Sequence, residues 1–135
     1  MHSFEDVRAH IAAKHTLTAN EPYLISFDLV LPGTRRQGIY LAELETEDDR
    51  HYLRISSLIA ALEPEAAIRA LRFNWVQRVG YLAVNDVAGT AYLHLCENRP
   101  YQGLSSQELD AVIKEIGNLA DRLERLLAGQ SADLV

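Results

Sequence analysis

Two side chains of this 135-residue sequence have the types and spacing of a nucleophilic pair: His94 and Cys96, two apart in the run Ala91 to Cys96. In an extended run, alternation places both on one side, and an imidazole beside a thiol is the start of an activated nucleophile. The sequence offers no strained turn, no glycine-rich oxyanion loop and no third member. A free cysteine usually behaves as a small apolar residue, so Cys96 reads as a half-buried thiol and no catalytic residue is assigned. The histidines are His2, His10, His15, His51 and His94. A metal centre needs several of them gathered and supported from behind. His10 and His15 are five apart, which turns them about 140° around a helix and off a common face. His51 follows Asp48 and Asp49, a cluster that reads as a solvated hairpin loop. No metal ligand and no cofactor-binding residue is assigned.

Two charged segments have equally modest readings. Pro32-Gly33-Thr34-Arg35-Arg36-Gln37-Gly38 places two guanidinium groups on a flexible backbone, as an anion cradle would. It lacks the Lys-Ser/Thr and helix start of a phosphate loop, and reads as a strand connection. The acids Glu43, Glu45, Glu47, Asp48 and Asp49 read as exposed charge that discourages edge-to-edge pairing.

The elements that position these groups follow from periodicity. Ser3 caps a short amphipathic helix through Phe4, Val7, Ile11 and the Ala12/Ala13 pair, ended by Thr16 to Glu21. From Pro22 the period is two, with Tyr23, Ile25, Phe27, Leu29 and Leu31 on one face until Pro32-Gly33. Ile39 to Thr46 and Tyr52 to Leu58 are further strands, and a meander is expected. Glu63-Pro64-Glu65 opens a helix whose apolar stripe is Ala67, Ile68, Leu71 and Trp75. Tyr81 to Val84 and Ala91 to Cys96 flank the turn-rich Asn85 to Gly89. Ser105 and Glu108 form a capping box for a last helix carrying Leu109, Val112, Ile116, Leu119, Leu123 and Leu126, stopped by Gly129. The expected fold is α+β: an antiparallel sheet with helices on one face, in the element order α-β-β-β-α-β-β-α. Residues 1–129 form one domain and the tail 130–135 frays.

With 48% hydrophobic and 24% charged residues, the composition is that of a globular domain that needs neither disulfides nor a metal. Thirteen Lys plus Arg against nineteen Asp plus Glu give a net charge of -6. Such a field repels phosphate backbones, so nucleic acid is not an expected partner. Met1 to Asp6 has neither the basic start nor the apolar run of a secretory signal, and no stretch reaches membrane-spanning length. The expected location is the cytoplasm, away from membranes.

Several segments carry a resemblance to a known family: Ala70-Leu71-Arg72-Phe73-Asn74-Trp75, then Gly80-Tyr81-Leu82-Ala83-Val84, Tyr92-Leu93-His94-Leu95, Tyr101-Gln102-Gly103-Leu104 and Ala120-Asp121-Arg122-Leu123. Together with the element order, this succession resembles the YbjN-like bacterial proteins and the class I type III secretion chaperones. The resemblance implies a homodimeric, non-enzymatic protein-binding domain that holds a client or effector segment on apolar patches.

The residues suggest where such contacts would form. Leu24 and Val30 lie opposite the apolar face of their strand, so a sheet sheltered on one side leaves them exposed. The expected client contacts are Phe4, Val7, Ile11, Leu24 and Val30. In the middle helix Arg69, Arg72 and Phe73 project away from the Ile68, Leu71 and Trp75 stripe, and both large aromatics suit a core or an interface. The expected dimer contacts are Ile68, Arg72, Phe73 and Trp75. A regulatory domain with a small ligand between sheet and helices is the alternative, and an enzyme with dispersed acids is a third.

Overall fold

The structure, a computed structural model, describes residues 1–46, 48 and 50–128. Glu47, Asp49, the expected stop at Gly129 and the tail 130–135 lie outside the described residues. Ser3 begins helix α1 (Phe4–Ala12): its Oγ accepts from the Asp6 amide at 3.3 Å. Four strands follow: β1 (Leu17–Glu21), β2 (Leu24–Val30), β3 (Arg36–Leu44) and β4 (Tyr52–Ala61). A short 3-10 turn at Pro32–Thr34 joins β2 to β3, and Gly33 takes the positive φ of 81° there. Helix α2 (Ala66–Val76) leads to the hairpin β5 (Tyr81–Val87) and β6 (Thr90–Pro100). Its two-residue turn, Ala88-Gly89, has φ of 52° and 83°, the left-handed pair that matches the twist of flanking strands. Ser105 Oγ accepts from the Glu108 amide at 3.0 Å and starts helix α3 (Ser106–Ala128), the serine half of the expected capping box, while Glu108 Oε1 accepts from Arg99 Nη1 at 2.6 Å.

The six strands form one antiparallel sheet in the order β1-β2-β3-β4-β6-β5. The α+β class and the grouping of helices and strands are as the sequence predicts, with β1 as an addition. Leu17 to Glu21 alternates too briefly to register as a strand; the edge of β2 recruits it, with a bulge between Leu17 and Ala19. Arg8 of α1 also ties the β1–β2 turn by donating to the Pro22 carbonyl at 2.8 Å.

One core lies between the sheet and the helices. Ile25, Phe27, Ile39, Leu41, Leu53, Ile55, Leu93 and Leu95 form its floor, each at most 2% exposed. Phe4, Val7 and Ile11 of α1, Ala70 and Phe73 of α2, and Leu109, Ile116 and Leu123 of α3 cover that floor. The alternate residues of the same strands therefore face away from all three helices.

Helix α2 is rotated from its expected register. Ala66, Ala70 and Phe73 face the core, while Ile68, Leu71 and Trp75 are 61%, 69% and 90% exposed. Two small alanines let the helix axis approach the sheet, and Phe73 fills the space beyond them. Asn74 fixes the arrangement: its side-chain amide donates to the Leu82 carbonyl at 3.1 Å and accepts from the Leu82 amide at 2.7 Å. That pair occupies one backbone position on the outer edge of β5, where an incoming strand would otherwise bond.

Candidate functional site

The face of the sheet turned away from the helices carries a trough. Strand register sets Ser26, Tyr40, Ser56, Cys96 and Tyr81 in one row across β2, β3, β4, β6 and β5. On one side of that row stand Leu24, Ala42, Arg54 and Asn98; on the other stand Leu58, His94 and Ala83. Small side chains at Ala42, Ser56, Ala83 and Cys96 leave the middle low, and Leu24, Tyr40, Leu58 and Tyr81 stand around it. The depression measures about 530 Å³. Tyr40 and Tyr81 are three strand spacings apart, about 14 Å. An α-helix with its side chains is about 10–12 Å across.

Chemistry in the trough is sparse. Cys96 is 5% exposed, and burial pushes its thiol above the ordinary range against the opposing pull of the Arg54 guanidinium. Its Sγ contact goes to the His94 carbonyl oxygen at 3.9 Å, not to the imidazole. The pair is therefore on one face, as alternation predicts, but burial disfavours the thiolate that a nucleophile would need. His94 Nε2 is buried without a hydrogen-bond partner among the described residues. Tyr81 donates its hydroxyl to Asn98 Oδ1 at 3.1 Å; burial first, then the neighbouring Cys96, raises its pKa.

The residues expected to touch a client divide sharply. Phe4, Val7 and Ile11 are 3%, 0% and 1% exposed. They hold α1 on the core and are closed to a partner while α1 is docked, because the stripe that looked presentable is what anchors a nine-residue helix. Leu24 lines the trough. Val30 is 60% exposed and lies six residues along the same strand, about 20 Å from Leu24 and beyond the depression. Among the expected dimer contacts, Phe73 is only 3% exposed and belongs to the core, a correction that follows from the rotation of α2. Ile68, Arg72 and Trp75 are on the surface. Leu71, expected in the core, joins them. Sequence reading missed Tyr40, Ala42, Arg54, Ser56, Leu58 and Tyr81; the available signal was the alternate set of each strand, especially Arg54, Ser56 and Leu58 between the core positions of β4.

The charged candidates have structural roles. Arg35 donates from Nε to the Asp121 carboxylate at 3.0 and 3.1 Å, linking the β2–β3 connection to α3. His51 Nδ1 is 3.8 Å from Glu43 Oε1. Among the described residues, no group of three or more His, Cys, Asp and Glu could hold a metal ion. His10 Nε2 and Lys14 Nζ meet Asp110 of α3 at 2.8 and 2.6 Å, while His15 stacks on Phe27 with ring centroids 4.1 Å apart.

Desolvation by burial lowers the His15 pKa, with Asp110 pulling the other way and Lys14 and His10 adding to the shift. The folded chain then binds fewer protons at this site than the unfolded chain, so stability falls as pH drops through the unfolded value of about 6.5. The variant His15→Gln is expected to be less stable at neutral pH but to lose less on going from about pH 7 to pH 5.5. Thermal unfolding at both pH values checks this, and parallel losses would rule out His15 as the cause.

Neither a protein-family model nor a curated protein matches the sequence. Among solved structures the chain is similar to one described as the structure of the HopA1-SchA chaperone-effector complex. The TM-score is 0.56 at 13% identity, over 90% of this chain and 88% of that chain. At that identity the likeness establishes a shared fold.

Proposed function

We propose that the chain is a non-enzymatic, homodimeric cytoplasmic protein, chaperone-like and akin to the YbjN-like regulators, that holds a helical segment of a client protein in the open-face trough. The observation that carries this reading is the trough itself: an apolar channel of helix width on the uncovered side of the sheet. A client helix would lie along the strands, its small residues over Ser56 and Cys96 and its larger ones against Leu24, Tyr40 and Leu58. Covering apolar surface contributes roughly 25 cal/mol per Å² before ordering costs. Val30 would contact a client only where the segment continues past the trough. The fold shared with a chain from a chaperone-effector complex supports the same reading.

Self-association would use the outer stripe of α2. Ile68, Leu71 and Trp75 recur at helical spacing and are all exposed, an arrangement that rarely stands free in a monomer. Acids Glu63 and Glu65 precede α2 and Arg72 lies near its end, so antiparallel packing across a two-fold axis sets opposite charges against each other. Val84 of the adjoining β5, paired in register with Leu93 on the helix-covered face, is 51% exposed and would extend the apolar contact.

Filling the trough tests the client role. Ser56→Trp places a large ring on the floor in a central strand, where aromatic residues are well tolerated. Binding of an amphipathic helical peptide of about four turns should weaken at least ten-fold while circular dichroism stays unchanged. Equal affinity of variant and parent would exclude the trough as the client site.

A further inference from the structure

Resting on the reading of the trough as a client site, we infer that Arg54 selects a client segment with a carboxylate on its apolar face. Arg54 is the one side chain of fixed charge among those lining the trough. It is set between Ala42 on β3 and Asn98 on β6. Six other arginines have acid partners among the described residues: Arg8 pairs with Glu5, Arg35 and Arg125 with Asp121, Arg50 with Asp48, Arg78 with Glu115, and Arg99 with Glu97 and Glu108. Arg54 makes no ion pair or hydrogen bond with any described residue. The nearby Glu43 and Glu97 are paired in register with Leu53 and Ile55 of the core face, so both lie on the opposite side of the sheet. A chain with a net charge of -6 has acids to spare, yet no described acid forms an ion pair with this guanidinium.

The physical consequence depends on occupancy. In the open trough the guanidinium is solvated and costs nothing. Once an apolar segment covers the trough, Arg54 loses water, and an unpaired buried cation is heavily penalised. A carboxylate aligned with it removes that penalty and gains a charge-assisted pair with the planar guanidinium. A lysine there adds repulsion. Selection therefore arises as much from rejection of the wrong segment as from attraction to the right one.

The test uses three synthetic amphipathic peptides of about four turns, identical except for Glu, Gln or Lys at one apolar-face position, that position being moved along the face in successive sets. Bound to the full chain and read by fluorescence anisotropy, the best-placed Glu peptide should exceed its Gln form by about ten-fold and its Lys form by about a hundred-fold. Arg54→Glu should invert the order in favour of Lys, which no general loss of folding can produce. Three peptides of equal affinity, all displaced by Ser56→Trp, would overturn the charge selection and leave the trough as a client site. Absence of any peptide binding would overturn both, and retention of dodecanoate alone would assign the trough to a small amphiphile instead. Loss of self-association in Arg54→Glu would assign it to a second copy.

Discussion

Phe73→Ala should cost about 3–5 kcal/mol, a large part of the stability of a domain this size. Phe73 is 3% exposed and is the largest side chain that α2 contributes to the core. Its neighbours are backbone-anchored: Asn74 is bound at both ends to Leu82, so α2 cannot collapse into the void without surrendering those bonds. The cavity term therefore adds to the lost transfer free energy. Chemical denaturation should show a lowered midpoint with an unchanged slope. A loss under about 1 kcal/mol would mean that Phe73 is not the core anchor of α2.

Trp75→Glu should have the opposite character. Trp75 is 90% exposed, so its removal takes little from the folded monomer, and surface changes of this kind usually stay within about 0.5 kcal/mol. At the proposed two-fold seam, however, each copy would meet the other's helix, and a buried, unpaired carboxylate in such a contact is strongly unfavourable. Light scattering after size exclusion should then give half the mass of the parent, with an unfolding transition hardly moved. Leu71→Glu should do the same. Parent protein with the monomer mass at high concentration, or variants that retain the parent's mass, would remove the α2 stripe from any interface. The pair of outcomes at Phe73 and Trp75, two residues apart, separates the core from the surface of one helix.

Helix α2 also shows how far periodicity carries. Its segment has two apolar stripes of nearly equal helical spacing, Ala66, Ala70 and Phe73 against Ile68, Leu71 and Trp75. A hydrophobic pattern reports that a helix is amphipathic only when its other face is polar. Here both faces are apolar, and the larger residues of the second stripe draw attention away from the alanines. What settles the choice is contact with another part of the chain: the Leu82 backbone, reachable by Asn74 only in one rotation.

The site obeys the same logic. Strand alternation in β2, β3 and β4 is readable in the sequence, and with it the expectation that one sheet face stays uncovered and that Leu24 stands on it. Which residues neighbour Leu24 there depends on register across five strands, and register is set by hairpins and by the β4 to β6 pairing that skips past β5. No local signal brings Arg54 beside Asn98 or seats Tyr81 across from Tyr40. The added strand β1 is likewise a product of its partner, since its five residues have too little apolar content to pair unless β2 offers an edge.

By itself the sequence determined the class of fold, the capped N-termini of α1 and α3 and the alternation of the long strands, because these depend on propensities and spacings within a dozen residues. Tertiary structure alone decided which face of α2 is buried, that Phe4, Val7 and Ile11 are spent on the core, and that the Arg54 guanidinium, without an acid partner among the described residues, stands in a trough of helix width. Those outcomes turn on distances between residues far apart in the chain, which only the packing of the sheet against its helices can fix.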